Sequence, residues 1–556
     1  MWLSMQTVDN VLVFYIYYKK IYGNQLVGYC IWSSCFDYCR EWFVHAVSGY
    51  WCDERERLTG RFRDLGTGRW GDWGTEILIT NVRANSRSPP IGLLITYYLN
   101  MTQAQPSLEF IPPAYNPLVW NIARGIMPFW LRYNYDIIKV EIDNPEELID
   151  LYHQFQQGKT RFMLAFRHSS IADPPCIAEV LWHKLPRIAR QQGKSLRSHL
   201  HAHFIYDRGI PLWAGDLVGW SISKLGGTPI RRGALDRVGL RSVRDLYVNG
   251  RFPMAAAPEG ATNGHNEIVS PIEPGIAQFG FWCREDLDKA GRNEAVAIAP
   301  LGVQYFYQTA PWQHLDNLLS QLEVETGLRG TANHSMGLNN GVNPTQSQQE
   351  KLYQRLIALA EHLLSLMESF YSKFYQQKLA VEGSLPDRLQ ALLDAALKVA
   401  ERSFGLKPNG NLSDRCRRVE QAAWNRIYRD DITELETLSP AVRGLADLVA
   451  SEAELRLWHM RLVENFVSVT GHYVAEKPTV ERFADTILLL WKMIARLKGE
   501  SNPKPPYLGK KWAKLTAVSP FWIADYWSQY QTNRRQAVAD LTQDLQGALE
   551  QTIIIG

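Results

Sequence analysis

The chain has 556 residues, of which 46% are hydrophobic and 21% are charged. It is longer than a usual single domain and has a globular composition, so a disordered, collagen-like or disulfide-stapled chain is excluded. Its 60 basic and 57 acidic residues leave a net charge of +3, which gives no bulk field for binding nucleic acid.

The first hundred residues differ in composition from the rest of the chain. They contain six of the 19 Trp and four of the seven Cys, without a sustained helical or strand period. We predict a doubtful or poorly ordered segment over residues 1–100. Translated upstream DNA, with Met101 as the true start, is one explanation, and a genuine divergent extension is the other.

The apolar runs and the remaining cysteines bear on the cellular compartment. No apolar run approaches the roughly 18 residues that a helix needs to cross a bilayer. Cys176, Cys283 and Cys416 are isolated, so no disulfide framework or zinc spacing extends past the first hundred residues. We therefore predict a reducing compartment, and hence a cytoplasmic protein, peripherally associated with the membrane.

Residues 101–134 contain a candidate interfacial helix. The stretch NPLVWNIARGIMPFWLRY, which begins at Asn116, combines large apolar side chains with few charges. The apolar residues are Trp120, Ile122, Ile126, Phe129 and Trp130. This pattern suits a helix lying at a membrane surface, and a helix packed on its own domain fits equally well.

Residues 135–306 alternate short apolar strands with helical segments. The strands are YDIIKVEI, RFMLAFR, AHFIYD, TPIR, RFPMAAA and AVAIAPLGV, the last predicted to end at Pro300. Helices are expected after Asn144 and Asp173 and from Leu212 and Ala234. The alternation predicts an α/β fold with a mixed sheet flanked by helices.

The pattern changes after residue 306. Residues 307–347 are predicted to be a linker, with a Gly/Asn-rich end, and residues 348–556 an all-helical region. Apolar residues recur at helical spacing from Leu352 to Phe370 and from Val480 to Leu497. No catalytic motif is found in this region, whose purpose stays open.

A histidine and an aspartate follow the second strand of the alternating segment. In RFMLAFRHSSIADPP, His168 comes just after the strand, and Asp173 stands where a helix begins. An imidazole at this place can take a proton from a hydroxyl, while a carboxylate on its other nitrogen fixes the tautomer. The alternative interpretation is that Asp173 only caps the helix.

Three further motifs follow in chain order, each at a turn of the same alternating pattern. LGGTPIRRG offers a close backbone approach at Gly226 and guanidinium donors for a phosphate at Arg231 and Arg232. PEG follows a strand at Pro258, Glu259 and Gly260, and a last strand carries Pro300.

These four motifs, between residues 161 and 303, resemble those of the glycerolipid acyltransferase family, typified by lysophosphatidate (1-acyl-sn-glycerol-3-phosphate) acyltransferases. The resemblance implies that His168 is the general base on a glycerol-type hydroxyl, Asp173 its partner and Arg232 a phosphate ligand. Gly226, Arg231, Pro258, Glu259 and Gly260 would then belong to substrate binding. The implied donor is acyl-CoA or acyl carrier protein, and the implied acceptor a lysophospholipid at a membrane surface.

One departure bears on the acceptor. The family commonly has Arg two residues after the Gly of its third motif, where this chain has Thr262. Losing a charge-assisted contact of about 1.5 to 3 kcal/mol would weaken phosphate binding about tenfold or more. The departure concerns the acceptor and not the reaction, so the expected function is still an O-acyltransferase of phospholipid biosynthesis. A lyso-lipid without a phosphomonoester is the alternative acceptor, and a non-catalytic lipid-binding module is the alternative function.

Two other motifs are weaker. His199, His201 and His203 alternate as HLHAH, as in some zinc sites, but histidines entering a buried strand are the favoured explanation. The segment PKPPYLGKKWAKL, which carries Lys504 and Trp512, fits a bilayer contact or a plain loop.

Overall fold

The computed structural model describes residues 102–556, except residues 198, 232–235, 329–335, 380–381, 468, 470, 501–502 and 555–556 and the side chain of Trp213. Within residues 1–101 it describes the backbone of four strands. The chain divides into two units, Met1–Met101 and Thr102–Gly556.

The first unit contains an antiparallel sheet in chain order. Its strands are β1 (Trp2–Val8), β2 (Val11–Tyr18), β3 (Leu26–Ser33) and β4 (Phe43–Val47). The rest of residues 1–101 lies outside the described residues, and the hypothesis of a doubtful segment stays a prediction.

The second unit is built on a mixed sheet. The strands of this unit are β5 (Gln105–Pro106), β6 (Ile137–Asp143), β7 (Thr160–Phe166), β8 (His203–Asp207), β9 (Thr228–Ile230), β10 (Met254–Ala256), β11 (Ala295–Tyr307), β12 (Tyr428–Arg429), β13 (Lys511–Ala517) and β14 (Phe521–Trp522). β5 and β12 pair only with each other, and the other eight form one sheet in the order β6-β13-β11-β7-β10-β8-β9, with β14 also on β11.

Strand direction in this sheet determines where the motif loops lie. β11, β7, β10, β8 and β9 run parallel to their neighbours, whereas β13 runs antiparallel to β11 and parallel to β6. The carboxyl ends of β7, β8, β9 and β10 therefore share one edge of the sheet, and the loops that follow them converge there.

Helices cover both faces of the sheet. They are α1 (Pro117–Asn134), α2 (Pro145–Gln156), α3 (Asp173–Glu179), α4 (Leu185–Gln191), α5 (Ile210–Ala214), α6 (Asp216–Lys224), α7 (Arg237–Asn249) and α8 (Gly275–Lys289). One core includes Trp120, Leu148 and Phe162, and the opposite core includes Val243, Phe281 and Leu541. The α/β class with a mixed, helix-flanked sheet is thus confirmed.

The helical region forms its own core. Its helices are α9 (Trp312–Glu325), α10 (Gln346–Tyr375), α11 (Leu385–Phe404), α12 (Leu412–Ile427), α13 (Pro440–Glu464), α14 (Tyr473–Glu476) and α15 (Val480–Leu497), and α16 (Ile523–Thr532) and α17 (Arg534–Gln551) follow β14. Helix α9 lies inside the segment predicted as a linker, and its buried residues, among them Trp312 and Leu319, join this core.

The predicted helical C-terminal region is confirmed, but the region is not all-helical. The segment KWAKLTA forms β13, which inserts between β6 and β11, and β14 follows it. Its buried side chains are Ala513, Leu515 and Ala517, which alternate with Lys514 and Thr516. Because two of the three buried residues are alanine, the alternation is a weak apolar signal. Of the segment PKPPYLGKKWAKL, residues 511–515 therefore belong to this strand, whereas residues 503–510 form a loop before it, and the bilayer contact stays a prediction.

Other strand and helix ends also differ from expectation. β11 does not end at Pro300 but continues to Tyr307. Pro300 falls between the residues that pair with β13 and those that pair with β14, so its missing N–H costs no ladder bond. The helix predicted from Ala234 begins at Arg237, where Asp236 accepts the Gly239 N–H as its cap.

Among the described residues, no helix is both long enough and apolar enough to cross a membrane.

Candidate active site

His168 and Asp173 meet at the carboxyl edge of the sheet. His168 lies two residues after β7, and Asp173 is the first residue of α3. The Nδ1 atom of His168 is 3.0 Å from Oδ2 of Asp173. The Asp173 side chain is fully buried, whereas that of His168 is 19% exposed. The sequence-predicted base and its partner are therefore in contact, and solvent reaches the imidazole.

Asp173 is held by two further donors. Its Oδ2 accepts the Ser170 N–H at 2.9 Å, and its Oδ1 accepts the Tyr305 hydroxyl at 2.5 Å. Burial, reinforced by the nearby Asp173 carboxylate, raises the pKa of Tyr305 well above its ordinary value, so the phenol stays protonated and donates. Three donors thus fix the orientation of this carboxylate.

A buried cysteine lies beside this pair. Cys176 lies on α3, and its sulfur is 3.9 Å from the Tyr305 hydroxyl. Burial, with the Asp173 charge adding to it, raises the pKa of the Cys176 thiol far above neutrality. A neutral buried thiol is a poor nucleophile.

Glu259 joins the third motif to the first. Its Oε1 accepts the backbone N–H of His168 at 2.6 Å, and its Oε2 accepts the Ser270 N–H and the Asn263 side-chain amide. Burial raises the pKa of this carboxyl, while the His168 N–H and the Arg167 guanidinium oppose the rise. Both oxygens are engaged, so Glu259 positions the His168 loop.

Arg167 is a positioning residue that sequence analysis missed. Its guanidinium is fully buried and donates to the backbone carbonyls of His265, Asn266, Ile268 and Val303 at 2.5 to 3.1 Å. The residue beside His168 thus clamps the loop that carries Glu259. The available signal was a charged residue directly after the apolar strand RFMLAF.

Pro258, Gly260 and Gly226 serve the backbone. The Pro258 carbonyl accepts the Glu273 N–H at 2.7 Å, and Gly260 closes a turn with a φ of +74°. Gly226 has a φ of +79°, and a Cβ there would lie 2.9 Å from the His203 ring. That ring contacts the Gly226 carbonyl at 2.7 Å. Gly226 therefore permits this close approach to His203, and its predicted role in substrate binding stays a prediction.

The structure describes only one of the two arginines of the second motif. Arg231 is held by its backbone N–H on Asp236 and by its guanidinium on Asn425 of α12 at 2.5 Å. Arg232 lies outside the described residues, so its predicted phosphate contact stays a prediction.

Helix α12 of the helical region lies over the motif loops. Trp424 packs against Gly209, in the loop after β8, and Arg417 pairs with Glu273 at 2.6 Å. A cavity of about 50 Å³ separates α12 and the end of α13 from the loop of the third motif. Its lining includes Glu259, Thr262, Asn263, Arg417, Glu420 and Glu464.

Two of the HLHAH histidines are buried and hydrogen-bonded to the backbone. His201 and His203 are buried, and their rings contact the carbonyls of Leu225 and Gly226 at 2.7 Å each. Burial lowers the pKa of both, to about 3 for His201. Within the described part of residues 102–556, no cluster of His, Cys, Asp and Glu could hold a metal ion.

A partly exposed histidine held by a buried carboxylate can act as a general base. Asp173 holds Nδ1, which leaves Nε2 as the nitrogen that accepts a proton. No family model, curated protein or solved structure matches the chain. A function must therefore be inferred from the chain's own residues.

Proposed function

We propose that this protein is an acyltransferase that moves an acyl group from a thioester, acyl-CoA or acyl carrier protein, to the hydroxyl of a glycerol-phosphate-type lyso-lipid. The observation that carries the proposal is the 3.0 Å contact between His168 and Asp173, beside the loop that Glu259 fixes. The order of the four motifs, which resembles that of glycerolipid acyltransferases, supplies the reaction class.

The proposed reaction needs one base and no covalent intermediate. Nε2 of His168 takes the proton of the acceptor hydroxyl while the oxygen attacks the thioester carbonyl. The thiolate then leaves and takes that proton from the imidazolium. Asp173 keeps Nδ1 protonated and stabilises the charged ring. Such general base catalysis supplies roughly a hundred- to ten-thousandfold in rate.

The acceptor headgroup is the second part of the proposal. In the family pattern, Arg231 and Arg232 would bind a phosphate. However, the cavity beside Thr262 has three glutamates, Glu259, Glu420 and Glu464, and one arginine, which Glu273 already pairs. An acidic lining disfavours a dianionic group. This lining favours, as the second candidate, a lyso-lipid acceptor without a phosphomonoester.

We also propose that α1 holds the enzyme at the cytoplasmic face of a membrane. The helix carries two arginines and no acidic residue, while Trp120 anchors it to the sheet core. Its outer face exposes large apolar side chains at helical spacing, namely Leu118, Ile122, Ile126, Phe129, Trp130 and Tyr133. Such a face suits insertion among anionic headgroups.

A transfer assay tests the function. Purified protein is given labelled palmitoyl-CoA or palmitoyl-acyl carrier protein and a panel of lyso-lipids in vesicles. We expect an ester product, and we expect His168→Ala to abolish it without changing the thermal unfolding midpoint. His183→Ala is the matched control, because His183 makes a similar pair with Glu179 at 2.7 Å away from the motif loops.

Each outcome selects one function. A product only from acceptors with a phosphomonoester supports the first candidate, and a product only from the others supports the second. Vesicle binding with no thioester consumed would instead identify a lipid-binding module. Retained transfer in His168→Ala would reject the histidine as base.

A further inference from the structure

The helical region contains a second, larger cavity that the proposed reaction does not use. It lies between α10, α11, α13 and α15 and has a volume of about 110 Å³. Residues that line it include Leu363, Met367, Leu393, Ala396, Leu490 and Met493. Protein interiors are usually packed with few voids larger than a water molecule, so a cavity of this size is an unusual feature.

Three of the polar side chains around this cavity have hydrogen-bond partners. The Tyr371 hydroxyl is 2.7 Å from Nδ1 of His459, the Tyr473 hydroxyl donates to Asp485 at 2.8 Å, and Thr486 bonds to a carbonyl of its own helix. Among the described lining residues there is no Lys, Arg, Asp or Glu. A ligand here therefore meets methyl and methylene groups almost everywhere, which selects a hydrocarbon.

The cavity adjoins the loop that fixes the candidate base. His265 lines it, and the His265 ring contacts the Asn263 carbonyl at 2.9 Å. Asn263 in turn donates its backbone N–H to the His168 carbonyl and its side-chain amide to Glu259. Two residue contacts thus connect the apolar cavity to the catalytic histidine.

The two cavities are neighbours. Asn263 and Val467 line the smaller one beside Glu259, while His265 and Phe466 line the larger one. Residues 263–265 and 466–467 therefore lie between a polar cavity at the motif loop and an apolar cavity in the helical region. A polar cavity next to an apolar one suits the polar end and the tail of a single amphiphilic molecule.

We infer that the apolar cavity binds the methyl end of a fatty acyl chain. Its identification as an acyl chain rests on the proposed function, whereas its preference for a hydrocarbon rests on its lining. An engineered apolar cavity of about 150 Å³ stays dry and binds benzene. The smaller volume here suits the end of one chain and excludes a complete lipid. The helical region would then measure acyl chain length.

Photolabelling tests the site in the intact protein. A fatty acid with a diazirine at its methyl end, and its CoA thioester, are irradiated with the full chain, and labelled peptides are mapped by mass spectrometry. We expect label on α10, α11, α13 or α15 that unlabelled palmitate displaces. Labelling by the thioester alone identifies the donor as the source, and labelling by the free acid identifies a fatty acid. Either supports the inference, and label only outside these helices overturns it.

A cavity-filling variant gives a second measurement. Ala396→Leu places methyl groups in the cavity, whereas Ala395→Leu is the matched control because Ala395 is buried on the same helix but does not line the cavity. We expect Ala396→Leu to weaken binding of the palmitoyl probe relative to a decanoyl probe by about fourfold or more, the effect of one lost buried methylene. An unchanged ratio would overturn the inference.

The two proposals fail separately. A protein that transfers acyl groups through His168 but is labelled elsewhere keeps its function and loses the cavity assignment. A protein that is labelled in the cavity but consumes no thioester keeps a hydrocarbon site and loses the acyltransferase assignment. If Ala396→Leu does not fold, the labelling map of the unaltered chain decides alone.

Discussion

The carboxylate of Glu259 accepts the backbone N–H of His168 at 2.6 Å, so a residue of one motif loop fixes the main chain of another. The same carboxylate accepts the Ser270 N–H at 2.8 Å. Each of its oxygens faces N–H donors. A neutral amide cannot match this arrangement, because one of its two ends would present a donor to a donor.

We therefore expect Glu259→Gln to lower the free energy of unfolding by about 1 to 3 kcal/mol. Urea denaturation measures this value. Glu273→Gln is the control, since that carboxylate is partly exposed and its pair with Arg417 is worth about 1 kcal/mol or less. Equal losses in the two variants would contradict a positioning role for Glu259.

Asp173→Asn should lower turnover by about a thousandfold or more. The amide oxygen can still accept an N–H, but the charge that stabilises the His168 imidazolium is lost, and the amide can hold the wrong tautomer. Acyl transfer at saturating substrate measures the loss, with Glu179→Gln in the His183 pair as control. A near-normal rate would show that Asp173 only begins helix α3.

Tyr305→Phe should lower turnover by about tenfold, the order of one hydrogen bond to a charged group, with little change in the Michaelis constants. The variant leaves Oδ1 of Asp173 without the hydroxyl that donates to it. Tyr307→Phe, two residues along the same strand, is the matched control. If both variants lose the same activity, the effect comes from strand packing and not from Asp173.

Asp485 predicts how stability depends on pH. Burial raises its pKa from the ordinary value of 3.8 to about 7, although the Asn266 N–H and the Tyr473 hydroxyl donate to it. The native state therefore holds this proton more tightly than the unfolded state. The stabilising contribution is complete below about pH 4 and is lost as the pH rises through about 7.

For this group the loss is up to about 1.4 kcal/mol per pH unit within that window. Asp485→Asn keeps an acceptor and cannot ionise, so its free energy of unfolding should fall less between about pH 5 and about pH 8. Urea titrations at the two pH values make the comparison. Parallel slopes in the variant and the unaltered protein would refute the assignment.

Ile126→Glu should reduce binding to vesicles of phosphatidylglycerol and phosphatidylcholine by about tenfold, because burying an isoleucine is worth about 1.5 to 3 kcal/mol. Ile126 is 50% exposed on the outer face of α1. Leu445→Glu is the control, since Leu445 is 66% exposed on α13 of the helical region. Co-sedimentation gives both values, and equal losses would rule out α1 as the membrane contact.

The alternation of strands and helices was readable because each element carries its own local period. The His168–Asp173 pair was also readable, since both residues follow one strand closely. Contacts between residues far apart in the chain could not be predicted. Arg167 and Tyr305 act through residues about a hundred or more positions away, and no local pattern encodes those meetings.

The sequence analysis missed strand β13 for a related reason. Its partners, β6 and β11, lie hundreds of residues earlier in the chain, and its inward residues are mostly alanine. The strand lies between two other strands and against α2. Helix ends were uncertain by a few residues, as at Arg237, because the Asp236 cap outweighs the propensities around it.

The insertion of β13 has a consequence for synthesis. While the chain is being made, β6 waits beside an unfilled position until residues 511–517 have left the ribosome. The sheet therefore stays incomplete until that point, and a chain stopped near residue 500 would expose two open strand edges. Completion of the final tenth of the polypeptide thus acts as a checkpoint for the assembly of the site.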